Sequence, residues 1–327
     1  MFNFLSPRHA WFPFREIAFF NKKDSKTWMN RFLSFKNAVE WRNHVISFLK
    51  EGTIPERFEI GAIYNIPLQH KQLAGAYPVS REFVIDIDTD DYDVVRRCHQ
   101  KSSYCSSCFA LLSHGAYVVT HLLKHCFNLT DVIWIYSGRR GLHGWVVDKG
   151  SRKMSNTLRS RIAKFLNLVS SRDPGELFSQ LPQQTILSLM DGLIDEDDEP
   201  GVLTSLYKER AKADLFDAGV EGTPIYQDFL DRIKGKHGPL VSTIERDVAA
   251  ILATTETHVA CSQIQAKFES HFSIKENHLL YYEFVWWCVG PRLDVNVSSQ
   301  MNHLLKAPFV FTQVLERFVF RLNRQKF

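Results

Sequence analysis

Apolar and polar positions change rhythm several times along the chain. "REIAFF" from Arg15, "FEIGAIYNIP" from Phe58 and "REFVIDID" from Arg81 are dense in β-forming apolar residues over short runs, the pattern of strands. Within the second run Gly61 marks a place where a side chain would obstruct a neighbour. "AVEWRNHVISFLKE" and "CFALLSHGAYVVTHLLKHCF", the latter from Cys108 to Phe127, repeat their apolar residues at helical intervals instead. Between Thr130 and Asp148, "VIWIYS" turning through "GRRGL" into "HGWVVD" predicts a β-hairpin, and "SRKMSNTLRSRIAKFLNLV" predicts a basic amphipathic helix. From about Ser170 to Asn277 the strand rhythm stops; helical stretches such as "STIERDVAAILATTE" and the acidic loop "DEDDEPG" predict a helical insertion. Strand-like sequence returns in "PRLDVNVS", with Asp294 between Leu293 and Val295, and Lys306 follows at the end of a short helical stretch. The alternation predicts an α/β (α+β) chain in three parts: 1–169, the helical segment 170–277, and 278–327.

Composition narrows this little. The 327 residues are 45% hydrophobic and 23% charged, an ordinary globular balance with room for two or three packed units. A net charge of +4 permits nucleic acid as a partner without demanding it. The longest apolar run, "LLYYEFVWWCVG", contains Glu283 and falls short of the roughly 20 residues of a membrane helix, so no membrane association is expected. The start "MFNFLSPRHAWFPF" lacks the marks of a secretory signal, which predicts a reducing compartment and makes metal sites or free thiols of the six cysteines.

The chemistry concentrates in four stretches. "FVIDIDTDDYD" follows apolar strand sequence with five carboxylates in eight positions, which repel one another unless a cation sits among them. Alternation along a strand directs Phe83, Ile85 and Ile87 to one side and Asp86 with Asp88 to the other, a pairing that suits divalent ions. An EF-hand loop does not fit, because Asp91 occupies the glycine position and Arg97 the bidentate glutamate position. The plainer alternative is a solvated acidic turn capping a helix over "YDVVRRC", which accounts for Asp90, Asp91 and Asp93. "SGRRGLHGW" gathers two arginines, Ser137 and His143 in one glycine-flanked turn; it suits phosphate oxygens, or is an ordinary basic loop. "CHQKSSYCSSC" offers Cys98, His99, Cys105 and Cys108 as a tetrahedral zinc set or as buried thiols. Cys126, Cys261 and Cys288 are expected in the core. Asp294 in an apolar strand needs a partner, either Arg292 or a shared metal.

Together these stretches resemble the catalytic small subunit of archaeal and eukaryotic DNA primase in its eukaryotic form. The matching pieces are "REIAFF", "EIGAIY", "FVIDIDTDDYDVVRRC", "CSSC", "WIYSGRRGLHGWVVD" and "PRLDVNVSSQMNHLLKAPF", in the family's order. The resemblance implies a mixed-sheet primase catalytic core with a small structural zinc motif at 98–108. It implies that Asp86, Asp88 and Asp294 bind two magnesium or manganese ions, and that Ser137, Arg139, Arg140, His143 and Lys306 hold a nucleotide triphosphate. Glu16, Arg31 and Arg57 match polar positions of the same cleft. Cys98, His99, Cys105 and Cys108 match the zinc ligands, with His99 where relatives carry cysteine. The implied activity is DNA-directed synthesis of short RNA primers from ribonucleoside triphosphates on single-stranded DNA. The implied partners are a primase large subunit and the DNA polymerase alpha complex, and the implied location is the nucleus.

Two departures stand out. Relatives carry an extra aromatic helix before "REIAFF", and after "APF" they continue with "HPxTGxxxVP", where this chain has "VFTQVLERFVFR" and puts Thr312 at the histidine. One permitted spelling of FTQVLERFVF, read from its third base, yields HPSTGKICV, so the segment is expected to be out of frame. A transcript encoding Thr312 in frame would refute that. As written, the chain lacks one phosphate ligand, and the alternative function is a catalytically impaired small subunit that acts only as a binding component.

Overall fold

A computed structural model describes residues 10–68, 74–96, 105–138, 140–167, 193, 195–196, 199–200, 202–210, 215–216, 223–255, 257–273, 277–307, 311–312, 317–318 and 320–321. In chain order the elements are β1 (Arg15–Lys23), β2 (Lys26–Leu33), α1 (Ala38–Lys50), β3 (Ile54–Tyr64), β4 (Pro78–Ser80), β5 (Phe83–Asp88), α2 (Ser106–Phe127), β6 (Val132–Tyr136), β7 (Gly141–Val146) and α3 (Asn156–Leu166). There follow β8 (Asp195–Glu196), β9 (Glu199–Pro200), α4 (Val202–Arg210), α5 (Ile225–Thr254), α6 (Thr257–Phe272), α7 (His278–Val289), α8 (Val295–Ser299), β10 (Leu305–Lys306), β11 (Phe311–Thr312), β12 (Arg317–Phe318) and β13 (Phe320–Arg321). The chain divides into two compact units. The first comprises Met1–Asp86, Phe127–Phe165 and Asp294–Lys326, the second Ile87–Cys126, Leu166–Leu293 and Phe327.

Two larger sheets, with the two-stranded pair β11-β12, make up the sheet structure described in the first unit. One runs β10-β3-β1-β2, with β4 also on β3, and its pairings are antiparallel. The other runs β13-β6-β7-β5. Ile60 and Leu305 of the first sheet meet Val84, Ile133, Ile135 and Trp145 of the second in one core, which Val297 and Ala307 complete. A second cluster packs Phe48 of α1 against Phe12, Ile17, Phe19, Leu33 and Phe35. Asn37 caps α1 by accepting from the Val39 and Glu40 amides at 3.0 Å, while Glu40 reaches back to the Lys36 amide at 2.6 Å, reciprocal capping that satisfies exposed donors at the helix start.

Charge is buried at the start of β5. Arg15 clasps the Glu82 carboxylate with two bonds of 2.8 and 2.9 Å and donates to the Gly61 carbonyl at 2.9 Å. Arg159 of α3 donates to the carbonyls of Met154, Ser151, Arg152, Arg81 and Glu82. The basic helix expected from Ser151 is therefore two pieces, a 3-10 turn at Ser151–Lys153 and then α3, and Arg159 is fully buried.

Helices and aromatic rings make the second unit. Phe268 and Phe284 lie 4.7 Å apart between centroids, and Phe229 and Phe284 lie 5.0 Å apart; Phe216, Tyr226 and Phe272 extend the cluster. The buried Arg210 ties α4 to the carbonyls of Cys288 and Val95. Among the described residues between Ser170 and Asn277 the regular structure is helical apart from the two-residue strands β8 and β9. No helix among the described residues is long and apolar enough to cross a membrane.

Four expectations need correction. "PRLDVNVS" forms no strand among the described residues: Asp294 caps α8, and Leu293 and Val297, four apart and both buried, follow helical spacing. Lys306 lies in β10 opposite Glu59 and not at a helix end. After β5 the acidic residues form a 3-10 turn, Thr89–Tyr92, and Asp93 to Val95 form a turn rather than a helix. Cys126 is exposed near the end of α2, and of the three isolated cysteines only Cys288 is buried.

Candidate active site

The alternation of β5 governs the site. Val84 lies in the inter-sheet core, and Asp86 and Asp88 continue its side of the strand into partial exposure. Both faces of β5 are otherwise buried, so the aspartates emerge from the rim of a core and not from a solvated face. The Asp86 carbonyl accepts the Asp294 amide at 3.0 Å, which brings the third predicted aspartate to β5 from 208 positions further along the chain. Two carboxylates also serve the backbone: Asp88 Oδ1 accepts the Asp90 amide at 3.2 Å, and Asp294 Oδ1 accepts the Asn296 amide at 2.9 Å. Arg292, the alternative partner of Asp294, donates Nη2 to the Trp287 carbonyl at 2.8 Å.

The β6–β7 turn supplies the basic side. Ser137 closes it: its amide donates to the Gly141 carbonyl at 2.8 Å and its Oγ accepts the Gly141 amide at 3.1 Å. Gly138 has a φ of 82°, a conformation side chains disfavour. Arg140 is partly exposed, and Arg139 lies outside the described residues. His143 is 6% exposed, opposite Ile135. Its Nε2 stands 3.6 Å from Asp86 Oδ1, too far for a hydrogen bond, and its Nδ1 has no partner among the described residues. Burial, and next the positive charge of Lys306, lower its pKa to about 3, so the imidazole is neutral at physiological pH.

The first sheet adds a polar row. Arg57, Glu59 and Gly61 alternate along β3; Glu59 accepts Arg57 Nε at 2.9 Å and faces Lys306 across the strands. Arg57 also sits 3.8 Å over the Phe20 ring. Glu16 is fully buried and accepts Arg31 Nε at 2.7 Å, and Arg31 reaches on to the Asn302 carbonyl at 2.5 Å. A Cβ at Gly61 would stand 2.4 Å from Glu16 Oε2, so the side chain that this glycine makes room for is Glu16.

Among the described residues no three His, Cys, Asp or Glu side chains gather closely enough to hold a metal ion by themselves. Hard oxygen donors near a basic turn nevertheless fit magnesium or manganese, which take one or two carboxylates and complete their shell with water and substrate phosphate. At the cysteine motif, the sulfurs of Cys105 and Cys108 are 3.8 Å apart, about the edge of a tetrahedron with zinc–thiolate bonds of roughly 2.3 Å. Arg96 Nη1 lies 3.6 Å from the Cys108 sulfur. Cys98 and His99 lie outside the described residues.

A model of the DNA primase small subunit family matches residues 85–313, well over half of the chain. The chain belongs to the DNA primase small subunit family. It is 31% identical over 278 residues to a DNA primase small subunit of Caenorhabditis elegans, covering 79% of this chain and 63% of that protein. With the Schizosaccharomyces pombe DNA primase small subunit it shares 29% over 320 residues, 91% of this chain and 63% of the other. With that of Drosophila melanogaster the figures are 28% over 319 residues, 93% and 68%. The chain thus spans 63% of the length of the worm and fission-yeast relatives. The primase family match takes in Asp86, Asp88, the β6–β7 turn, Asp294 and Lys306; Glu16, Arg31 and Arg57 precede it.

Proposed function

We propose that this chain carries the nucleotidyl-transfer centre of a eukaryotic-type DNA primase, which synthesises short RNA primers on single-stranded DNA from ribonucleoside triphosphates. The observation that carries the proposal is the Asp294 amide on the Asp86 carbonyl at 3.0 Å, with His143 3.6 Å from the Asp86 carboxylate. Asp86, Asp88 and Asp294 would hold two magnesium or manganese ions, which when bound neutralise triphosphate charge and acidify the primer 3′-hydroxyl. Arg139, Arg140 and Lys306 bind the triphosphate oxygens through charge-assisted hydrogen bonds, and Ser137 supports the turn that presents the arginines. A neutral His143 can donate one ring N–H to a phosphate oxygen without adding charge. Holding the nucleotide in line with the 3′-hydroxyl supplies most of the rate enhancement, as is usual for phosphoryl transfer. Glu16, Arg31 and Arg57 form the wall of the same cleft.

Cys98, His99, Cys105 and Cys108 would bind one structural zinc, to which the 3.8 Å sulfur spacing lends support. The family name carries the expectation of a large subunit; the DNA polymerase alpha complex as primer acceptor and a nuclear location complete the proposal. A second reading, a catalytically impaired binding subunit, draws on Thr312 at the position of the family's phosphate-binding histidine. The test is incubation with a poly-pyrimidine template, labelled nucleotide and manganese, with and without the large subunit. Labelled primer upholds the proposal. No product in either condition favours the impaired reading, and template degradation would mean a nuclease.

A further inference from the structure

The far end of α8 is held by groups with no part in the chemistry above. Arg81 is buried at 2% exposure, and its Nη1 donates to the carbonyls of Val297 at 2.9 Å and Gln300 at 2.8 Å. Carbonyls at a helix C-terminus lack partners within the helix and must find them elsewhere. Ser298 is fully buried and donates its Oγ to the Val84 carbonyl at 2.7 Å. At the near end the Asp294 amide donates to the Asp86 carbonyl at 3.0 Å. α8 is therefore fastened at three points along one stretch of chain, Arg81, Val84 and Asp86, while Val297 packs into the core that contains Val84.

The helix has five residues, about 7.5 Å at 1.5 Å per residue, so a shift at its C-terminal end is carried directly to its cap. That cap is Asp294. Water could satisfy an exposed helix end at little cost, whereas a buried arginine is disfavoured by lost hydration and, here, by the nearby Arg159 charge, which together lower the Arg81 pKa to about 9. The arrangement fixes register, a requirement of ligand geometry more than of folding.

We propose that Arg81 and Ser298 are positioning residues of the metal centre, holding α8 so that Asp294 stays beside Asp86. The proposal rests on the reading of those two aspartates as ligands of divalent ions.

The test measures manganese binding to the 327-residue chain by electron paramagnetic resonance, with ribonucleoside triphosphate present, alongside the manganese dependence of nucleotide incorporation. Arg81→Lys, which retains charge but whose shorter side chain does not bring its ammonium to the place where Nη1 bonds both carbonyls, should weaken manganese affinity about tenfold, the lower end for groups that orient metal ligands. Ser298→Ala should weaken it severalfold, with the Michaelis constant for nucleotide unchanged at saturating manganese. Ser151→Ala is the control: its buried Oγ bonds the Val146 and Asp148 carbonyls at 3.1 and 2.8 Å, neither of them in α8, so it loses a comparable hydroxyl but should bind manganese normally. If Arg81→Lys fails to fold, Ser298→Ala decides. Wild-type affinity in Ser298→Ala, or an equal loss in Ser151→Ala, overturns the positioning role and leaves the reaction standing. A wild-type chain that binds no manganese removes the reaction assignment and this proposal together.

Discussion

The two ends of β5 treat charge in opposite ways. At its start, Arg15, Arg81, Glu82 and Arg159 are buried, and each guanidinium holds two or more oxygens. At its finish, Asp86 and Asp88 are partly exposed, and the neighbouring His143 stands 3.6 Å from Asp86 with Nδ1 unpartnered among the described residues. A buried charge kept for structure is given partners, because leaving one unpaired costs several kcal/mol, although Arg15 Nε and Arg81 Nη2 have none among the described residues. The difference lies in exposure: the charges at the start are shut away from solvent, whereas the aspartates at the finish remain within reach of a ligand.

The comparison can be broken most severely at the finish. Asp86→Asn should cut nucleotide incorporation by about a hundredfold or more while the circular dichroism spectrum and melting curve stay as in wild type, since electrostatic groups at a reacting centre carry effects of that order. Normal turnover in that variant would end the metal assignment. At the start the effect should fall on stability: Arg15→Leu takes from the buried Glu82 carboxylate its bidentate hydrogen-bond partner, leaving only the nearby Arg81 and Arg159 charges, and should cost about 3 kcal/mol in urea unfolding. Its pH dependence sharpens the contrast. Burial alone would raise the Glu82 pKa, but the Arg15 charge and hydrogen bonds hold it below the ordinary 4.5. Its stabilisation is therefore complete above pH 4.5 and lost as the pH falls through the lowered value. In Arg15→Leu the carboxyl pKa rises, and stability should instead increase from pH 7 toward pH 5; an unchanged profile would show that Arg15 does not control this carboxyl.

Smaller effects belong to the basic turn. Arg140→Ala should raise the Michaelis constant for nucleotide about tenfold with little change in kcat, the scale of one hydrogen bond to a charged group. An unchanged constant removes Arg140 from triphosphate binding. The smallest signal is spectroscopic: without metal, the His143 ring resonances should not titrate between about pH 8 and pH 5, because its pKa is lowered to about 3. The unfolded chain takes up that proton near pH 6.5, so His143 contributes stability that is full above 6.5 and declines as the solution is acidified. A shift midpoint above pH 6 would mean that burial and Lys306 do not act as described.

Much of this was legible in the sequence where one periodicity had no competitor. The alternation of "FVIDID" gave β5, the apolar spacing from Cys108 gave most of α2, and the glycines of "SGRRGLHG" gave the hairpin turn. "LDVNV" misled because it alternates like a strand while its aspartate bonds the amide two residues on, a local competitor that starts a helix. Lys306 escapes a local pattern for a related reason: a two-residue strand exists only through its neighbour β3, which that pattern does not contain. Arg81 gave no sign of its role, since nothing in "SREF" distinguishes an arginine that binds carbonyls 216 and 219 residues away from one in solvent. Glu16 and Gly61 each stand out in the sequence, but their mutual approach is a fact of strand register.

On the proposed reading Asp88 and Asp294 have a dual employment that affects any mutagenesis here. Each ends one piece of backbone and begins the next by gripping an amide two residues ahead. Alanine at either position removes that grip along with the negative charge, at about 1 kcal/mol for the cap alone, and so confounds a chemical defect with a rewired chain exit. Asparagine grips equally well and carries no charge. Of the two replacements, asparagine alone separates what these side chains do for the protein from what they do for its ligand.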